Sequence, residues 1–229
     1  MEKGENKKIQ KEETKKKKTQ KVDKELYWVL GVMVALILVF LISSAIFESS
    51  KDFQYQGLEF TKEMFGEIPL YRFTYFTDTS SSSITGHTIN SGANRVIVLL
   101  RGDPRKNNVP VYGEIEYLPK ENFVYVSINS TGLLCEDSTI AMAGIASFMK
   151  QNGFTIKGGS ADEADAEQTG LDYITCENRP GRMVILLQSG PENSITREGD
   201  CYTLNVADCE VLPVTERFLI QSVLDAKAE

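Results

Sequence analysis

Histidine is almost missing from this chain: a single residue, His87, stands among 229. A Ser-His catalytic pair or a His-based metal centre therefore has one candidate. That candidate lies in ITGHTIN, inside the Ser/Thr/Gly/Asn-rich stretch 77–94, beside Ser80 to Ser83 and Ser91, where nothing in the pattern orients an imidazole. Cysteine is sparse as well, with four residues and no CxxC pair, which excludes a disulfide-dense miniprotein and argues against structural zinc. GxSxG, HExxH, a Walker loop and a GxGxxG turn are all absent, so no cofactor is implied. No internal repeat is present either.

Charge is what residues 26–47 lack. LYWVLGVMVALILVFLISSAIF carries no acidic or basic side chain, and at about 1.5 Å per residue a helix of that length reaches roughly 33 Å, enough to cross the hydrocarbon of a bilayer. Tyr27 and Trp28 stand at its first turn, where amphipathic rings favour the headgroup level. Lys15 to Lys18, Lys21 and Lys24 precede the run and only Lys51 follows closely, so the N-terminus is expected in the cytoplasm and the rest outside. Ser43 and Ala45 have signal-peptidase spacing, but the long basic tail and the long apolar run favour an uncleaved anchor over a cleaved signal. Residues 1–25, with ten Lys and six acidic residues, are too polar to bury a core and read as a disordered basic tail.

The remaining sequence has 15 basic and 26 acidic side chains, a sum of −11, which leaves no electrostatic case for nucleic acid on this part. Residues 48–70 read as a stalk and entry region that packs on a domain through Phe53, Tyr55, Leu58, Phe60 and Phe65. In 71–229, strands are expected at Tyr71–Phe76, Arg95–Arg101, Asn122–Ile128, Phe154–Lys157, Leu171–Glu177, Arg182–Gln188 and Tyr202–Val206. Helices are expected from Ser138 to Gln151, ended by Gly153, and from Pro213 to Ala226. That order predicts an α+β class: one mixed-sheet domain with two helices packed on one face, rather than a doubly wound parallel fold.

Several residues stand out within it. Cys135, Cys176, Cys201 and Cys209 all follow the apolar run, and an even number in an oxidising compartment points to two disulfides. Three pairings are open; Cys135 with Cys176 and Cys201 with Cys209 is the preferred one, although a straight strand after Cys201 would carry its partner away. Asn129-Ser130-Thr131 is a glycan acceptor triplet after a strand. Arg101-Gly102-Asp103 is an RGD triplet, which at a loop tip can present a cation and a metal-ligating carboxylate to a receptor; the preferred reading is that Arg101, Arg105 and Lys106 form a basic spot on an acidic domain, suited to an acidic partner or to internal ion pairing. Asp162, Asp165 and Glu167, in an acidic loop spanning 159–172, are candidates for a hard cation such as Ca²⁺, although their spacing does not match an EF-hand loop.

LRGDPR, the Cys135-led CEDSTIAMAG and the C-terminal CYTLNVADCEVLPVTERF resemble segments of small uncharacterised membrane-anchored proteins of archaea. The resemblance brings no activity with it and implies only an archaeal cell surface. The expectation from sequence is thus a single-pass membrane protein presenting an acidic, disulfide-bonded domain for binding or assembly with other envelope proteins. The alternative is a membrane-tethered envelope hydrolase using carboxylates or a Ser.

Overall fold

The computed structural model describes residues 27–41, 51–78, 93–116, 123–129, 133 and 135–228. The basic tail, His87, Ser80 to Ser83, Ser91, Ser130 and Thr131 lie outside them. The chain divides into two compact units, Met1–Lys51 and Asp52–Glu229.

In the first unit, residues 27–41 form a helix, α1, all of whose side chains are exposed. At about 1.5 Å per residue it measures roughly 22 Å. Among the described residues no helix is long and apolar enough to cross a membrane. Leu26 and residues 42–47 of the apolar run lie outside them.

The second unit is an α+β fold with two sheets. The first is an antiparallel meander in the order β1 (Asp52–Tyr55), β2 (Leu58–Phe65), β3 (Ile68–Asp78), β4 (Ala93–Leu100). Two-residue loops make its first two hairpins. Gln56 and Gly57 both take positive φ (48° and 77°), a conformation that matches strand twist and that Gly supplies without steric cost. The second sheet has seven strands in the order β5 (Val111–Tyr112), β10 (Ser194–Glu198), β11 (Cys201–Val206), β9 (Val184–Ser189), β6 (Phe123–Ile128), β7 (Thr155–Ser160), β8 (Asp172–Tyr173). Its pairings are parallel except β10 with β11. Helix α2 (Ser138–Gln151) carries the chain from β6 to its parallel neighbour β7, α3 (Glu163–Thr169) from β7 to β8, and α4 (Val211–Ala228) closes the chain.

One core joins both sheets through α2 and α4. Phe60, Phe73 and Val98 of the meander, Ile145, Phe148 and Met149 of α2, Val214 and Phe218 of α4, and Val126, Ile185, Leu187 and Leu204 of the seven-stranded sheet all belong to it. At roughly 1.5–3 kcal/mol per buried large apolar side chain, this cluster is the main source of stability. Ile174, Val184 and Cys201 form a smaller cluster with Tyr125 and Cys176.

The structure departs from four of the sequence expectations. There are two sheets rather than one, because from Asp52 onward the expected entry region is itself β1, β2 and the start of β3; Phe53, Tyr55, Leu58 and Phe60 pack on the core as expected, whereas Phe65, expected to do the same, is exposed. The acidic loop contains a third helix of the unit, α3: the Asp162 carboxylate accepts from the N–H groups of Ala164 and Asp165, and Gly170, at φ 70°, ends the helix. The expected strand at Leu171–Glu177 is reduced to Asp172–Tyr173. The disulfides join Cys135 to Cys209 and Cys176 to Cys201, with Cα–Cα distances of 5.5 and 5.6 Å.

That pairing follows from strand order. β11 is extended, so Cys201 and Cys209 end up beyond the roughly 7 Å reach of a bridge. Cys209 instead sits in a turn with Asp208, at φ 60° and 48°, that doubles the chain back into α4 beside the start of α2, where Cys135 waits. Cys201 heads β11 next to Val184 of β9, and the segment after β8 brings Cys176 onto it.

Non-reducing digestion and mass mapping should recover the peptide pairs containing Cys135 with Cys209 and Cys176 with Cys201; the pair Cys201 with Cys209 would contradict the fold. The bridges close 74 and 25 residues of chain, so replacing both Cys of the first by Ser is expected to cost about 4 kcal/mol in urea unfolding, slightly more than the second.

Candidate functional site

A cleft of about 340 Å³ lies between β4 and the helices α2 and α4. Its existence begins with strand alternation. Val96, Val98 and Leu100 turn into the core, so Ile97 and Leu99 face the other way, together with Leu70 of β3. Across from them α2 presents Ile140, Ala143 and Gly144; the glycine has no side chain to fill the gap. The lining is therefore largely apolar, with Leu99 54% and Ile140 37% exposed, while Arg101, Ser147, Gln151, Thr215 and Glu216 contribute its polar groups.

β4 is an edge of its sheet, so its outer main-chain groups need partners. In an antiparallel ladder alternate residues direct N–H and C=O groups to the same side. Here the outward set is Arg95, Ile97, Leu99 and Arg101. The Ile97 N–H donates to Gln151 Oε1 (3.1 Å), and the Arg101 N–H donates to Glu216 Oε1. The Gly102 N–H adds a bond to Glu216 Oε2 (3.0 Å). Two helix side chains thus sit on the strand edge at either side of Leu99.

Glu216 is the unusual group. It is 6% exposed on α4, and burial pushes its carboxyl up to about 7, against the opposing pull of the Arg101 and Gly102 N–H groups and the Arg101 charge. A side chain on Gly102 would collide with it, since a Cβ there would lie 2.7 Å from Glu216 Oε2. The sequence carried a signal for this residue: it interrupts the helical stripe Leu212, Leu219, Val223 at a position where an apolar residue belongs.

The RGD triplet lies at the end of the same strand, and all three residues have structural work. The Arg101 guanidinium is 3.7 Å from Asp137. Asp103 caps a short 3₁₀ turn at Pro104–Lys106 and is gripped by Arg105 through Nε (2.9 Å) and Nη2 (2.7 Å), which holds its carboxyl below the usual range. Arg105 in turn lies 4.0 Å over the Phe53 ring. Arg105 is thus engaged internally, and Asp103 has no free carboxylate to offer a receptor metal; Lys106 is exposed.

The other sequence candidates are separate from the cleft. Asp162 is occupied as the α3 cap, and Asp165 and Glu167 belong to that helix; among the described residues no three His, Cys, Asp or Glu side chains converge as a metal-ligand set. Asn129 follows β6 and is half-buried, with its N–H bonded to the Leu187 carbonyl (2.8 Å).

Glu216 sets a pH dependence. Its pKa is about 7 folded against 4.5 in an unfolded chain, so the folded state binds the extra proton between those values and stability falls as pH rises through that window, by about 3 kcal/mol at most. Urea midpoints measured from pH 5 to 8 should show this fall, and Glu216→Gln should flatten it. Gly102→Ala, which dislodges the carboxylate from its two N–H donors, is expected to cost about 1–3 kcal/mol.

Compared with known proteins, the chain matches no family, no curated protein and no solved structure.

Proposed function

We propose that the chain is a single-pass membrane protein, N-terminus in the cytoplasm, that holds its acidic, disulfide-bonded domain outside the cell to bind an apolar segment of another envelope protein in the cleft beside β4. The observation that carries the binding reading is the cleft itself: an apolar trough with exposed Leu99 and Ile140, whose strand edge is already bonded to Gln151 and Glu216. It suits inserted side chains rather than an added strand. The uncharged α1, exposed along its whole described length, supports the anchor, and the two disulfides suit an oxidising compartment.

The hydrolase alternative has less support. Acid-base work at Glu216 needs a partner, but Thr215 donates to the Val211 carbonyl (3.0 Å) and both Glu216 oxygens accept backbone N–H groups.

Two measurements test the reading. Protease added to sealed cells should remove the domain while leaving the N-terminal tail; full protection of the domain until the cells are permeabilised would refute the topology. A photo-crosslinking residue at Leu99 or at Ile140 should trap the same protein in intact cells, and one at Leu171, exposed at 50% in the connection between α3 and β8, should not. Equal capture from all three positions, or none from the cleft, would remove the cleft as the binding site.

A further inference from the structure

The most exposed large apolar side chain among the described residues is Phe65, at 76%, and it is not alone: Met64 is 60% and Ile68 43% exposed. All three flank the Gly66-Glu67 turn of the β2–β3 hairpin, where Phe65 pairs with Ile68 and Met64 with Pro69. Successive strand residues point to opposite faces, so the tip is apolar on both. A lone exposed Phe needs no explanation; a hairpin end apolar on both sides does.

The register shows where this tip points within its own unit. β1 opens with Asp52 opposite Thr61, and β2 then runs on for Lys62, Glu63, Met64 and Phe65. The tip therefore overhangs the first residue of the meander by about 14 Å, at about 3.4 Å per residue, toward the side from which the chain enters. Only Glu48 to Lys51 separate Asp52 from the last residue of the apolar run, Phe47. Fully extended, that link spans no more than roughly 17 Å.

We infer that the hairpin tip formed by Met64, Phe65 and Ile68 inserts into the headgroup layer of the membrane in which the chain is anchored. This rests on the anchor reading above. The overhang covers most of the longest possible link, and the headgroup layer adds about 5–7 Å on each side of the hydrocarbon, so the tip reaches lipid without unfolding anything. Charges near the tip fit a shallow depth. Glu63 is paired with Arg72 (2.7 Å), and Lys62 lies 5.8 Å over the Tyr71 ring, a cation placed for lipid phosphate. Glu67, at the apex, holds the tip at headgroup level and out of the hydrocarbon.

The test uses the full chain in phosphatidylcholine vesicles whose acyl chains are brominated close to the glycerol, with tryptophan emission as the readout. The sole tryptophan, Trp28, reports on the anchor. In a Trp28→Phe background, Phe65→Trp reports on the tip and Phe76→Trp on the far end of β3, eight residues from Ile68 and 68% exposed. The expected result is a blue shift and loss of most of the emission for the Phe65→Trp indole, quenching of Trp28, and no quenching for Phe76→Trp. Quenching of Trp28 with none at the Phe65→Trp indole overturns the hairpin contact and leaves the anchor standing. No quenching at either position overturns the anchor and the inference with it. Equal quenching at Phe65→Trp and Phe76→Trp overturns tip insertion in favour of a domain lying flat on lipid.

Discussion

The helix pair α2 and α4 is the constraint on which the rest of the domain depends. Neither sheet has its core face covered without it: Phe148 and Met149 of α2 and Phe218 of α4 belong to the same cluster as Phe73 on the meander and Leu187 on the parallel strands. The Cys135–Cys209 bridge ties the two helices together just before each begins. α4 is also the polar hub. Its Glu216 receives the Arg101 and Gly102 N–H groups, its Asp225 receives the Ile115 N–H (2.8 Å), its Pro213 carbonyl receives Asn107 Nδ2 (2.7 Å), and its Arg217 donates to the Tyr55 hydroxyl (3.3 Å). Four separate stretches of chain thus take their position from one helix, and the cleft is the gap left where that helix and α2 meet the last strand of the meander.

What was legible in the sequence was legible for local reasons. Ser138–Gln151 is a helix with the limits its polar start and Gly153 suggest, and the runs Arg95–Arg101, Asn122–Ile128, Arg182–Gln188 and Tyr202–Val206 fall on the strands β4, β6, β9 and β11, although the first, apolar enough for a central strand, is an edge. The α+β class followed from their order. What was not legible depended on neighbours remote in sequence. The β1–β2 hairpin looked like a stalk because a four-residue strand carries almost no periodic signal, and α3 was hidden because acidic density masked the Asp162 cap and the Gly170 stop. Disulfide pairing required the order β11-β9-β6, which no spacing of cysteines contains.

The site shows the same division. The RGD triplet drew attention as a recognition motif, yet Asp103 and Arg105 are bound to each other, and the part of the triplet that matters to the cleft is the backbone of Arg101 and Gly102. Glu216 is the reverse case. Its side chain type is unremarkable, and its meaning comes from the stripe it interrupts and from the strand end that meets it. A charge where an apolar residue belongs is a better pointer to a special environment than a three-letter motif is.

The outer edge of β4 has one more consequence. A bare strand edge is a template on which identical molecules can add, one after another, into a growing fibre. Here the Gln151 amide and the Glu216 carboxylate stand on that edge like stops on a rail, and Arg95 and Arg101 at its two ends would face each other with like charge if two copies met antiparallel. Crowding many copies together therefore does not by itself join their meanders through β4 into a continuous ribbon.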